Sequence, residues 1–269
     1  MTDIEKYAAS LHLAHSYRQP LVKTVLKDLD LPLSAYGLDA GCGIGLYTKM
    51  LAEEVGPEGH VVGLDNSQGL LDEAYNLASR RGLQNRITLK QGDVSSIPYG
   101  DNTFDWAGSM DCIGCIQADS VFLLKELKRV VKPGGMVFLL IWSSQMLLPG
   151  HPSIEAQLNA TPSGIAPFNQ TMQPERHFMR AGRWFLKAGY RDINTHTYIG
   201  NISAPLNQEM RDALTDLFEM RWGGCEQEVS RKTWSYYKRL CNPDSPDFIL
   251  NLADYHAFYT YTLFQGYAE

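Results

Sequence analysis

Residues 38–45 read LDAGCGIG: an apolar run turns acidic at Asp39 and passes into three alternating glycines, Gly41, Gly43 and Gly45. The apolar part suits a buried strand. The glycines suit the turn after it, because Gly41 and Gly43 allow a tight bend and let a ligand approach the backbone where a Cβ would otherwise stand. A dinucleotide fingerprint, G-x-G-x-x-G, would place its third glycine at position 46, and the chain has Leu46 there.

Working outward from this loop, apolar runs and amphipathic stretches alternate from about residue 36 to residue 142. YGLDAG is followed by a helix from Gly45, HVVGLD by a helix from Ser67, then come ITLKQGD, FDWAGSM, a helix over 119–131 and MVFLLIW. This rhythm predicts a Rossmann-like, doubly wound α/β fold with a mostly parallel seven-stranded sheet. Ile44, Tyr47 and Leu51 share one helical stripe, and Leu124, Leu127 and Val131 another. Lys132-Pro133-Gly134-Gly135 then stops the second helix. Residues 1–34 read as an N-terminal helical arm broken near Pro20. Residues 35–204 form the core, with a Pro- and Ser-rich loop or lid over 143–175 carrying one short helix. A helix over 175–188 and a strand in YRDINTHTYIG follow. Residues 205–254 read as a helical cap, and 255–269 as a last, antiparallel strand. If the last two strands pair, the cap is an insertion lying over the carboxyl ends of the strands, where open α/β sheets bind ligands.

Three successive strands end in carboxylates. Asp39 next to the loop would repel a pyrophosphate, but it suits a ligand bearing an ammonium and a sulfonium. Asp65, ending VVGLD, can accept from both hydroxyls of a ribose. Asp93, ending KQGD, can accept from an exocyclic adenine amine while the Val94 N–H reaches the ring. Together these requirements describe S-adenosylmethionine (SAM). The bland readings are a plain strand-to-helix turn for the glycines and a helix N-cap for Asp65, where Ser67 competes.

In LDAGCGIG, VVGLDNS, QGDVSSIPYGDNTFD and FDWAGSM with LKELKRVVKPGGMVFLLIW, the chain resembles the class I SAM-dependent methyltransferases. Within these it resembles the group containing the ubiquinone and menaquinone methyltransferases. The resemblance spans about residues 36–142. It implies that Asp39 holds the methionine amino group and that Gly41, Gly43 and Gly45 line the carboxypropyl part. It also implies that Asp65, with Asn66 beside it, holds the ribose, that Asp93 and Val94 hold the adenine, and that Ser109 and Met110 line the pocket by the methionine. The family's N-terminal arm closes over the cofactor, which makes Tyr17 and Arg18 candidates for the methionine moiety. The product would be S-adenosylhomocysteine. For Tyr17 the competing reading is a helix-packing aromatic.

The acceptor side is less marked. His151 and His177 are candidate general bases, although a lone loop histidine is commonly just solvated. Asp111 and Cys112 gain from following the fourth strand. The aromatics Phe218, Trp222, Trp234, Tyr236 and Tyr237 suit the cap's own core. An in-line methyl transfer requires mainly a held acceptor and excluded water, so no catalytic motif names the acceptor atom, whether O, N or C.

Thirty acidic against 24 basic residues give a net charge of -6, which disfavours a nucleic-acid partner. The asparagine-proline-proline-aromatic motif associated with nucleobase and amide methylation is absent, since the fourth strand continues as SMDCIG. A small-molecule acceptor is expected. The polar N-terminus lacks a secretory pattern, and MVFLLIW is too short to cross a bilayer, so a cytoplasmic protein is expected, as a monomer or homodimer. Five cysteines suggest reduced thiols, and the lone CxxC of Cys112 and Cys115 lacks the second ligand pair of a zinc site, so no metal is expected. Competing functions are a non-methylating enzyme using SAM, a SAM-binding regulatory subunit, and an NAD-dependent oxidoreductase.

Overall fold

A computed structural model describes residues 2–116, 118–166 and 173–269. The order of elements follows the sequence rhythm. Helix α1 (Asp3–Leu29) leads into β1 (Tyr36–Ala40), α2 (Leu46–Glu54), β2 (His60–Asp65), α3 (Gln68–Arg80), β3 (Ile87–Gln91), β4 (Phe104–Met110), α4 (Ser120–Val130) and β5 (Val131–Met146). Then come α5 (Pro152–Asn159), α6 (Ala181–Ala188), β6 (Arg191–Ser203), α7 (Gln208–Trp222), α8 (Arg231–Cys241) and β7 (His256–Tyr267). The seven strands form one sheet in the order β3-β2-β1-β4-β5-β7-β6. The first five are mutually parallel, and β7 lies antiparallel between β5 and β6. The chain reverses its winding direction between β1 and β4, so the crevice at their carboxyl ends is the expected ligand site of such a sheet.

Alternation along β5 divides the core. Val137, Leu139 and Ile141 face one layer with Leu124, Leu127, Trp184 and Phe185. Phe138 and Leu140 face the other, with Trp106, Tyr259, Tyr261 and the buried residues of α1 and α7. This is the period of two that a strand covered on both faces requires.

Local expectations needed correction in four places. Pro20 does not break the arm: α1 runs unbroken through it, because a proline removes one helical hydrogen bond and Leu21, Val22, Val25 and Leu26 beyond it are buried. Val131 is not on the α4 stripe but opens β5, paired with Phe104 of β4. β5 does not stop at Trp142, since pairing with β7 carries it to Met146. The single helix expected over 175–188 is two 3-10 turns (Pro174–Arg176 and Phe178–Arg180) followed by α6. The break falls at His177, which is extended, and its Nδ1 accepts from the Met179 N–H at 3.3 Å to start a new turn. Part of the expected 143–175 loop, residues 167–172, lies outside the described residues. No helix among the described residues is long and apolar enough to cross a membrane.

Candidate active site

A cavity of about 520 Å³ opens at the carboxyl ends of β1, β2 and β4, within the range of small-molecule sites. Its floor is the loop after β1. Gly41 sits at φ +83°, and a Cβ there would lie 2.3 Å from Cys112 Sγ, so the position admits only glycine without rearrangement. Gly43, at φ +54°, would aim a Cβ into open space with only a Leu11 methyl within 4 Å. The loop is held in this shape by its neighbours: the Gly41 and Cys42 N–H groups donate to the Leu64 carbonyl at 2.8 and 2.9 Å, and the Gly43 N–H donates to Asp65 Oδ2 at 2.8 Å.

Asp65 also accepts from the Ser67 N–H at 3.0 Å, while Ser67 itself caps α3 by accepting from Leu70 N–H. The capping role therefore belongs to Ser67, and Asp65 joins the loop to the cavity rim. Asp93 stands exposed at the far rim, its carboxylate held below the usual range by hydrogen bonding from Ser95, whose N–H lies at 2.7 Å. Val94, Leu70, Ile116, Ala118 and Leu123 give that end apolar walls. Asn66, Met110, Asp111 and Cys112 complete the rim on the sheet side.

Four residues singled out in the sequence do not reach the cavity. Asp39 is 1% exposed beneath the loop, where it accepts from Thr48 Oγ1 at 2.6 Å; burial pushes its carboxyl up to about 7. Gly45 faces α3, with room for a Cβ filled by Ala74 at 2.9 Å. Ser109 is buried as a brace, donating to the Ala40 carbonyl at 2.8 Å and accepting from the Ile113 N–H at 3.1 Å. Tyr17 turns into the core, edge-on to Trp142 and Tyr259, with its hydroxyl unpartnered. These residues shape the site from behind.

The arm brings Arg18, singled out in the sequence, to the cavity, and with it three residues the sequence reading missed. Tyr7, Leu11, His15 and Arg18 line the cavity together. Their spacing of four, four and three places them on one face of α1, and that spacing leading up to Arg18 was the available signal. Ala8, Ile44 and Leu70 pack as one cluster with Leu11 and Leu46, which seats the arm on the loop. Burial, with Lys49 and His12 nearby, pushes His15 down to about 4, so a neutral imidazole lies on the wall.

Of the candidate bases, only Asp111 lies on the cavity. It sits at φ +52°, accepting from the Trp142 N–H at 3.0 Å, the Tyr261 hydroxyl at 2.5 Å and Arg18 Nη1 at 3.3 Å. Held by three donors, it orients the wall around it. His151 precedes α5 and His177 joins the two 3-10 turns, and neither lines the cavity, because both belong to the segment after β5 rather than to a strand end. Tyr47, also on the wall, is pushed up to about 12 by burial and stays a phenol. Burial likewise pushes the Cys112 and Cys115 thiols up to about 12, so neither is a thiolate at neutral pH. Among the described residues no group of three or more His, Cys, Asp or Glu side chains is placed to hold a metal ion.

Residues 38–135 match the family model of a methyltransferase domain. The chain is 41% identical over 119 residues to a demethylmenaquinone methyltransferase of Lactobacillus johnsonii, covering 44% of this chain and 48% of that protein. A second demethylmenaquinone methyltransferase, from Anoxybacillus flavithermus, is 37% identical over 126 residues, with 47% and 52% covered. The chain thus spans about half the length of the curated relatives it matches. Among solved structures, a SAM-dependent methyltransferase from Aquifex aeolicus superposes with a TM-score of 0.53 at 23% identity, over 72% of this chain and 91% of that one. A putative methyltransferase from Bacillus halodurans superposes with a TM-score of 0.56 at 15% identity, over 91% and 97%. The stretch that carries the glycine loop and the carboxylates at its rim is accordingly similar to a methyltransferase domain, and to the corresponding part of two demethylmenaquinone methyltransferases.

Proposed function

We propose that the protein transfers the methyl group of SAM to a small-molecule acceptor. The observation that carries this reading is the convergence, around one cavity, of the Gly41–Gly43 cradle with Asp65 at the end of β2, Asp93 and Val94 after β3, and Met110 and Asp111 at the end of β4. The residues fit the group: the open space above Gly43 receives the methionine chain, Asp65 and Asn66 the ribose, and Asp93 and Val94 the adenine between apolar walls. Bound SAM supplies an electrophilic methyl on a sulfonium.

The chain's own contribution is placement and exclusion of water. Tyr7, Leu11 and His15 cover the cavity from α1, and Arg18, Tyr47 and Asp111 bound it beside Met110, at the end away from the adenine walls. Holding the acceptor atom in line with the methyl carbon accounts for most of the rate such a site can provide. Asp39, buried below the loop and joined to Thr48, acts through the loop's shape rather than by touching the ligand. The five unpaired cysteines suit a reducing, cytoplasmic setting.

Calorimetric titration with SAM, S-adenosylhomocysteine and NAD tests the site, and release of S-adenosylhomocysteine in the presence of a panel of small acceptors tests the reaction. Micromolar SAM binding and acceptor-dependent release are expected. Binding of NAD in preference to SAM would overturn the reading in favour of an oxidoreductase.

A further inference from the structure

Behind Arg18 and Asp111, which line the cavity, lies a corner built on Trp142 of β5, whose backbone N–H donates to Asp111. One face of this indole is covered by Tyr259, stacked at 4.9 Å and 11°. The guanidinium carbons of Arg18 and Arg221 lie 5.4 and 5.9 Å from the Trp142 ring centre, so two cations share its environment. Arg18 is paired with Asp111. Arg221, from the last turn of α7, makes no salt bridge among the described residues. Its protonated form is disfavoured by burial and by Arg18. Glu155, which also feels the Arg221 charge, spends its carboxylate on the Leu147 and Leu148 N–H groups. Arg221 therefore has no carboxylate in direct contact among the described residues, in a partly buried place where a charge without a contacting partner is costly.

Its unpartnered atoms have the same character. Gln145 Oε1 accepts from Trp142 Nε1 and from Arg221 Nε, each at 3.0 Å. Both of those groups can only donate, so the amide cannot be turned over, and Gln145 Nε2 is left buried without an acceptor. Arg18 Nε is likewise buried without one. Buried donors without acceptors around a guanidinium that no carboxylate contacts among the described residues are the inverse of an anionic oxygen group, and a guanidinium fork on an aromatic face suits a carboxylate or a phosphate.

We infer that Arg221, Gln145 and Trp142 form a subsite for the anionic head, a carboxylate or phosphate, of the methyl acceptor. The inference rests on the methyltransferase reading above, and it leaves Arg18 and Asp111 as the wall shared between this corner and the main cavity. The Trp142 N–H that donates to Asp111 joins the two.

The test titrates protein saturated with S-adenosylhomocysteine with benzoate, phenyl phosphate and benzamide, following heat. One or both anions are expected to bind about tenfold or more tightly than the uncharged amide, and the tighter of the two identifies the head group. Arg221→Gln should erase that preference, Arg221→Lys should restore part of it, and Gln145→Leu should weaken it, with S-adenosylhomocysteine affinity unchanged in all three. Equal binding of benzamide, no anion binding at millimolar concentration, or a preference that survives Arg221→Gln overturns the subsite. A thermal melt of each variant confirms folding. Failure of wild-type protein to bind S-adenosylhomocysteine would strike the methyltransferase reading instead, and the anion titrations without it would still decide the corner.

Discussion

The backbone N–H of Gly43 donates to the carboxylate of Asp65 at 2.8 Å, tying the glycine loop after β1 to the end of β2. One side chain thus holds the floor of the cavity and stands on its rim. Asp65→Ala removes both services. SAM affinity should fall by about 1–3 kcal/mol, the cost of lost hydrogen bonds to a charged group, and calorimetric titration reads it directly. Asp65→Asn, which keeps one acceptor oxygen, should lose less.

Gly41 faces a second constraint. A methyl there would meet Cys112 Sγ at 2.3 Å and Cβ at 2.5 Å, on a backbone at φ +83°. Gly41→Ala should destabilise the protein by roughly 1–3 kcal/mol through overpacking and strain, seen as a lower urea midpoint. Adding Cys112→Gly removes the collision but not the strained φ, so only part of the loss should return.

Asp39 predicts a pH dependence. Burial raises its folded carboxyl from 3.8 to about 7, so between those values the folded protein keeps a proton that the unfolded chain has released. Its contribution to stability is therefore greatest below about pH 4 and is lost as the pH rises to about 7. Asp39→Asn retains an oxygen for Thr48 and removes the titration. The variant's melting temperature should exceed wild type at pH 8, by an amount equivalent to roughly 2–4 kcal/mol, and the difference should vanish near pH 4. A constant difference across the range would refute the assignment.

Among the described residues, Asp111 is the single carboxylate paired with Arg18. Asp111→Asn fits the positive φ, since asparagine tolerates that region, but it sets an amide N–H against Arg18 and leaves the guanidinium uncompensated. A loss of about 3 kcal/mol is expected, measured by chemical unfolding. Tyr261→Phe, which deletes a neutral donor to the same oxygen, should cost about 1 kcal/mol.

What could be read from the amino-acid sequence was local. Strand alternation, glycines after a strand and carboxylates at three strand ends lie within a few residues of one another, and short-range sterics and backbone chemistry decide them. Hence the parallel sheet, the antiparallel β7 and the loop that carries Gly41 and Gly43 were legible in advance. Where the expectation missed, as at Val131 or His177, a neighbouring strand or a cap outweighed local propensity.

The remainder was settled by tertiary structure, because it depends on residues far apart in the chain whose meeting no local pattern encodes. Asp111 is held by Tyr261 across 150 positions, and Trp142 meets Arg221 only because α7, inserted between two paired strands, folds back over the end of β5. Burial then set the chemistry: Asp39 and Tyr17 are residue types common at ligands, yet here they lie behind the cavity, while Tyr7, Leu11 and His15 face it. The sequence by itself determined which domain this is. Packing decided which side chains reach the cavity and brought Arg221 to the Trp142 ring beside it.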